Sequence, residues 1–296
     1  MGKHIRRGPA LTIALSACVI VSASSAQSKP ELFARGIVST DAPEFAASFT
    51  PDGREVYFNR ASADRSTLTI MLSTKSASGD WSPATVAPFS GTFRDVDPFV
   101  APDGRRLFFT SDRPRQPGGA RVFATWSVER IESGWGAPID PGPPLNSTAG
   151  DVFFTMARDG TAFFTSSRNG MTRIFSTHEK NGHWITPQTI MLGAAADGSN
   201  PAVAPSGRFI VLVRVLSGTA TDLFVSCRER QGWSEPRPLA AINSRYADFA
   251  PSIDAAERIL TFTSERPGII GAQPDGVRPP GDIYRVSLDA AGIHCP

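Results

Sequence analysis

The chain has 296 residues, with 30 Lys and Arg against 28 Asp and Glu, so its net charge near neutral pH is +2. Such a balance argues against a nucleic-acid stripe or an acidic tail, and the length suits one large domain or two ordinary ones. The 26 Gly and 25 Pro are spread along the chain, which points to many tight turns and not to one disordered linker.

The first 26 residues read as a signal peptide, with 27–296 as the domain proper. Lys3, Arg6 and Arg7 precede "LTIALSACVIV" (11–21), an apolar run of signal-core length and too short to span a bilayer. "SSA" (24–26) offers small residues for cleavage after Ala26, while "LSAC" (15–18) resembles a bacterial lipobox and keeps a lipid anchor on Cys18 as the alternative. The expected location is therefore periplasmic or secreted. Cys227 and Cys295 would then face an oxidising compartment, but nothing in the sequence brings them together, and two unpaired thiols are expected.

Beyond the leader one unit repeats. "TPDGREVYFNR" (50–60), "APDGRRLFFTSDRP" (101–114), "ARDGTAFFTSSRNG" (157–170), "APSGRFIVLVR" (204–214) and "DAAERILTFTSERPG" (254–268) put the turn residue at Asp52, Asp103, Asp159, Ser206 and Ala256, in steps of 51, 56, 47 and 50 residues. A period near fifty fits a four-stranded propeller blade and exceeds a helix-pair repeat. In each unit an inner strand enters the turn, where Pro, Asp and Gly suit successive turn positions. A second strand rich in Phe, Leu and Val follows, then a third: "LTIMLST" (68–74), "VFATWSV" (122–128), "RIFSTH" (173–178), "DLFVSC" (222–227) and "DIYRVS" (282–287). A hairpin then ends on Trp81, Trp135, Trp184 or Trp233, a column read as packing and not as a ligand cage. The fifth unit has no such hairpin, and "PELFARGIVSTDAPEFAASF" (30–49) lines up with "PRPLAAINSRYADFAPSI" (236–253). The fold expected is all-β: a single five-bladed propeller of four-stranded blades, its last blade completed by the first strand of the mature chain, which removes open sheet edges.

These repeats resemble the WD40-like PD40 repeat of bacterial envelope proteins, the family that includes the TolB propeller. The likeness runs over residues 30–290 and is carried by "APDGRRLFFTSDRP", "SGWGAP", "LNS" and "GDIYRV". Ser206 in the fourth unit and "DAAER" in the fifth depart from the turn motif. The expected role is a monomeric, non-enzymatic interaction or scaffold module, and the resemblance implies that its protein partner belongs to the cell envelope.

Alignment on the turns gives two polar columns. Eight residues before the turn stand Glu44, Asp95, Asp151, Gly198 and Asp248; at the end of the second strand stand Arg60, Arg113, Arg168, Arg214 and Arg266. Antiparallel strands bring both columns to one face. There they can be ion pairs that knit each blade, or a polar mouth for a partner or a glycan, with Asp95 and Asp97 in "RDVDP" its most acidic corner. A glycoside hydrolase or sialidase would use carboxylates around the channel, yet these acids recur from blade to blade, and no Ser-x-Asp-x-Gly-x-x-Trp box is present. There is no G-x-S-x-G elbow or nucleotide fingerprint. His178 and His183 flank a hairpin tip and read as solvent-exposed, so no metal or other cofactor is expected. One feature breaks the symmetry: "RPGIIGAQPDGVRPPGD" (266–282) is a long second-to-third connection whose Ile269 and Ile270 are expected to be exposed for a protein contact.

Overall fold

A computed structural model describes residues 1–2, 29–217, 220–274 and 277–296; the signal-peptide and lipobox readings lie outside these residues. Among the described residues there is no helix, and five antiparallel sheets form a five-bladed propeller. The innermost strands are Glu44–Phe49, Asp95–Val100, Asp151–Met156, Ser199–Val203 and Asp248–Ile253. Each runs from what we call the loop face to the turn face, where the Pro-Asp-Gly turns lie. The chain returns along Glu55–Ala61, Arg106–Ser111, Ala162–Ser166, Phe209–Ser217 and Ile259–Ser264, and crosses again along Leu68–Thr74, Ala124–Ile131, Arg173–Thr177, Ala220–Glu229 and Asp282–Ser287. The fourth strands are two-residue pieces. In the last blade that piece is Glu31–Leu32, which pairs with Tyr284 and Arg285, so the N-terminal segment completes the ring as the repeat alignment predicted.

The turns form for local reasons. Asp52, Asp103 and Asp159 each accept the backbone N–H two residues on, at 2.8–3.0 Å. Where Ser206 replaces the aspartate, its hydroxyl takes the Arg208 N–H at 3.3 Å and in turn donates to Glu257 of the next blade at 2.9 Å. In the fifth turn Asp254, two residues upstream of Ala256, accepts from the N–H groups of Arg258 and Ile259.

The second strands are buried because both sheet faces meet a neighbouring blade: Phe58, Phe108, Phe164 and Ile210 are at most 1% exposed. The tryptophans close the seams between blades, each leaning on the blade before its own. Trp135 packs on Tyr57 and donates Nε1–H to its hydroxyl at 2.7 Å. Trp184 packs on Phe108, Trp233 on Phe163, and Trp81 on Phe33 of the N-terminal segment.

The seam between the fourth and fifth blades has no such tryptophan. There the C-terminal tail folds back, Leu288, Ala291 and Ile293 join the core with Phe209 and Val225, and Cys295 forms a disulfide with Cys227 across a Cα–Cα distance of 5.5 Å. This overturns the expectation of unpaired thiols: the tail's backbone bonds, Leu288 N–H to Arg258 and Ile293 N–H to Leu288, aim Cys295 at the fourth blade. The bridge closes a loop with a sequence separation of 68. In the chain-entropy model a loop of this size contributes about 4 kcal/mol. Cys227→Ser should therefore lower unfolding free energy by about that amount in urea titrations under non-reducing conditions, and reductant should bring the parent protein to the same midpoint.

Candidate functional site

The two polar columns meet at the loop face. In the second, third and fifth blades the second strand ends in Ser-x-Arg. The serine hydroxyl accepts from the arginine's own N–H and Nε–H, which curls the side chain back over the blade. Arg113 then reaches Asp95 at 2.8 Å, Arg168 reaches Asp151 at 2.5 Å and Arg266 reaches Asp248 at 2.8 Å. Each of these arginines also donates to a carbonyl of the connection entering its blade, at Phe89, Leu145 and Ile242 respectively. Each guanidinium lies over at least two aromatic rings: Arg168 and Arg266 over two, and Arg113 over Phe93, Phe109 and Trp126. In the first blade Arg60 stands two residues earlier and bonds Glu44 at 2.8 Å.

The remaining carboxylate oxygens are also occupied. Thr40 donates to Glu44, Ser90 to Asp95, Ser147 to Asp151 and Ser244 to Asp248. All four acids are 0% exposed. Desolvation raises the Glu44 pKa in spite of its bonds to Thr40 and Arg60. In the fourth blade Gly198 offers nothing, and Arg214 turns to the exposed Asp197 at 2.8 Å and Glu235 at 3.5 Å. Chemically, each unit is a carboxylate neutralised by a bidentate-capable cation and capped by a hydroxyl or, at Asp248, by the Ser244 backbone N–H. Removing the cation leaves the acid buried and uncompensated, so Arg168→Met should cost about 3–5 kcal/mol of folding stability, measured by chemical denaturation, whereas Arg214→Met, whose partners are exposed, should cost far less.

Asp97 belongs to a different row. Every inner strand carries a bulge, and its first residue has a left-handed backbone: Ala46, Asp97, Phe153, Asn200 and Ala250 have φ between 48° and 55°. The bulge N–H is taken by a side chain of the preceding blade: Ala46 by Thr263, Asp97 by Asn59, Phe153 by Thr110 and Asn200 by Thr165. The fifth equivalent is Val213, which has no acceptor to offer. Sequence reasoning missed this row because its residue types differ; the shared property is a backbone conformation.

The row faces the propeller axis. Ala46, Phe153 and Ala250 form one buried cluster although they come from the first, third and fifth blades, and Phe153 can meet the other two only across the channel. They close the floor of the loop-face mouth, whose walls include the half-buried Phe45, Val152 and Phe249. From the turn face the channel narrows to a cavity of about 40 Å³ lined by all five inner strands. That volume holds roughly two or three waters and falls well below the roughly 300 Å³ of a small-molecule pocket.

Asp97 is half-buried in this row with the Thr110 hydroxyl as partner, and desolvation pushes its pKa up to about 7. The sign follows directly. Between the ordinary value of 3.8 and about 7 the native state keeps a proton that the unfolded chain has released, so stability falls as pH rises through that window. Asp97→Asn should remove the effect. Its melting temperature minus that of the parent should grow from pH 4 to pH 7 and level off above, as read by scanning calorimetry.

The other singled-out residues fall as follows. His178 and His183 are exposed, and no group of three metal-ligating side chains exists among the described residues. Ile269 and Ile270 are half-buried, not exposed, because the Ile269 N–H is held by Asp282 at 3.0 Å. The exposed apolar side chains of the loop face lie elsewhere: Val122, Met171 and Val277 in second-to-third connections, and Val215 and Leu216 at the end of the fourth blade's second strand.

Solved structures share this fold. A TolB-like protein from Agrobacterium tumefaciens matches with a TM-score of 0.53 and 16% identity over 86% of this chain and 81% of its own. TolB from Acinetobacter baumannii matches with a TM-score of 0.51 and 15% identity over 83% of this chain, which spans 54% of that protein's length. A thermostable family-43 glycoside hydrolase matches with a TM-score of 0.57 and 12% identity over 85% of this chain and 91% of its own. No protein-family model matches the sequence, the PD40 repeat included, and no curated protein does.

Proposed function

We propose that the protein is an exported, non-enzymatic propeller that docks a protein partner of the cell envelope on its loop face. The observation that carries this reading is the set of Val122, Met171, Val215, Leu216 and Val277. These are between 38% and 67% exposed, and all sit in or beside the second-to-third connections around one mouth. Val215 and Leu216 stand at the loop-face end of the fourth blade's second strand and the other three in connections; exposed apolar side chains gathered on one face of a rigid scaffold mark an interaction surface. The likeness to TolB structures supports the envelope as the setting, and the carboxylate and arginine columns support the loop connections from below.

The rival reading, a glycan-binding protein or glycoside hydrolase with its site at the channel mouth, needs carboxylates free to act as acid and base. The four acids of the column are each tied to an arginine and to a hydroxyl or a backbone N–H, which favours the docking reading. Photo-crosslinking from a probe placed at Met171, in cells carrying the full chain, should capture one envelope protein. The double variant Val215→Asp, Leu216→Asp should lose that capture at least tenfold while keeping the parent's melting temperature. Capture that is unchanged in the variant, or absent altogether, would sink the reading. Turnover of arabinan or xylan oligosaccharides abolished by Asp151→Asn with the fold intact would establish the rival.

A further inference from the structure

Of the five side chains in the bulge row, Ala46, Phe153, Asn200 and Ala250 carry no charge and Asp97 does. The four buried acids nearby each have an arginine. Asp97 has none: it makes no ion pair among the described residues, and its carboxyl is governed by burial and by the Thr110 hydroxyl. Phe45, Val152 and Phe249 wall the mouth above this row, and the Phe45 and Phe249 ring centroids lie 6.5 Å apart. An unpaired carboxylate held in left-handed backbone at the axis weakens the fold, and such costs persist where a site uses them.

We propose that the loop-face mouth receives a lysine or arginine side chain of the partner protein, its cationic head paired with Asp97 and its methylene stem lying against Phe45, Val152 and Phe249. The fit has three parts. The carboxylate lacks a countercharge, which an ammonium or guanidinium brings. The walls are apolar and aromatic, as a methylene stem and a cation beside ring faces require. The floor is closed by Phe153, so the mouth accepts a side chain and not a threaded polypeptide. A hard divalent cation, by contrast, asks for about six oxygen ligands, and the row supplies one carboxylate and the Asn200 amide.

This inference deepens the docking reading and takes from it the source of the side chain. Its test needs no partner. Saturation-transfer NMR at pH 8 would use Nα-acetyl-lysine-N-methylamide and agmatine as probes, with Nα-acetyl-norleucine-N-methylamide as the neutral control and calcium chloride as the ionic one. The expected result is transfer to the side-chain methylenes of both cationic probes, at least tenfold weaker binding to Asp97→Asn, and tighter binding to Asn200→Asp, which adds a second carboxylate to the same row. No transfer from either cationic probe, equal binding by Asp97→Asn, or competition by calcium alone would overturn the proposal. If crosslinking captures a partner through Val215 and Leu216 while the lysine probe stays silent, docking stands and this inference falls.

Discussion

A propeller must close on itself, and the last seam bears that constraint. Four of the five blades take their outer strand from their own unit; the fifth takes Glu31–Leu32 from the opposite end of the chain. Two residues of pairing make a weak lock, and two further contacts reinforce it. Phe33 sits between Trp81 and Phe49, and the Ala46 N–H is held by Thr263 across the junction; at the neighbouring seam the Cys227–Cys295 bridge pins the tail of the fifth blade to the fourth. The rest of the geometry, from the inner bulges to the loop-face mouth, exists because that ring is shut.

Much of this was legible in the residues. The Pro-Asp-Gly turns, the tryptophan hairpins and the borrowed first strand all follow from composition and spacing, since each needs a particular residue type at a fixed offset. The acid and arginine columns were legible as columns, and their convergence follows from strand direction. Three things were not. The bulge row shares a conformation and no residue type, so alignment passes over it. The disulfide depends on how the tail after Ser287 folds, which no repeat specifies. The fourth blade repairs its own defects with neighbours: Asp197 stands beside the empty Gly198 position, and Glu257 of the next turn accepts from the Ser206 hydroxyl that stands in for the aspartate. Compensation by a residue outside the aligned position is visible only once the blades are side by side.

The two faces divide the labour. On the loop face the buried ion pairs of the second, third and fifth blades are nearly identical, so they hold the connections in place without distinguishing those blades from one another. What differs is what the loop face displays: Met171 in one blade, Val215 and Leu216 in the next, and the unpaired Asp97 below them at the axis. Specificity in a symmetric scaffold has to come from the positions that break the symmetry.

The tryptophan seams have a direction. Trp135, Trp184 and Trp233 each lean on the blade that precedes them in the chain, and Trp81 leans on a segment closer still to the N-terminus. A polypeptide that appears N-terminus first therefore presents each indole with a flank that already exists, and no indole waits for later sequence. The ring can grow like overlapping roof tiles, each blade sheltering the one before it, with the seam that joins last to first left to the N-terminal segment and the seam before it to the tail and a covalent bond.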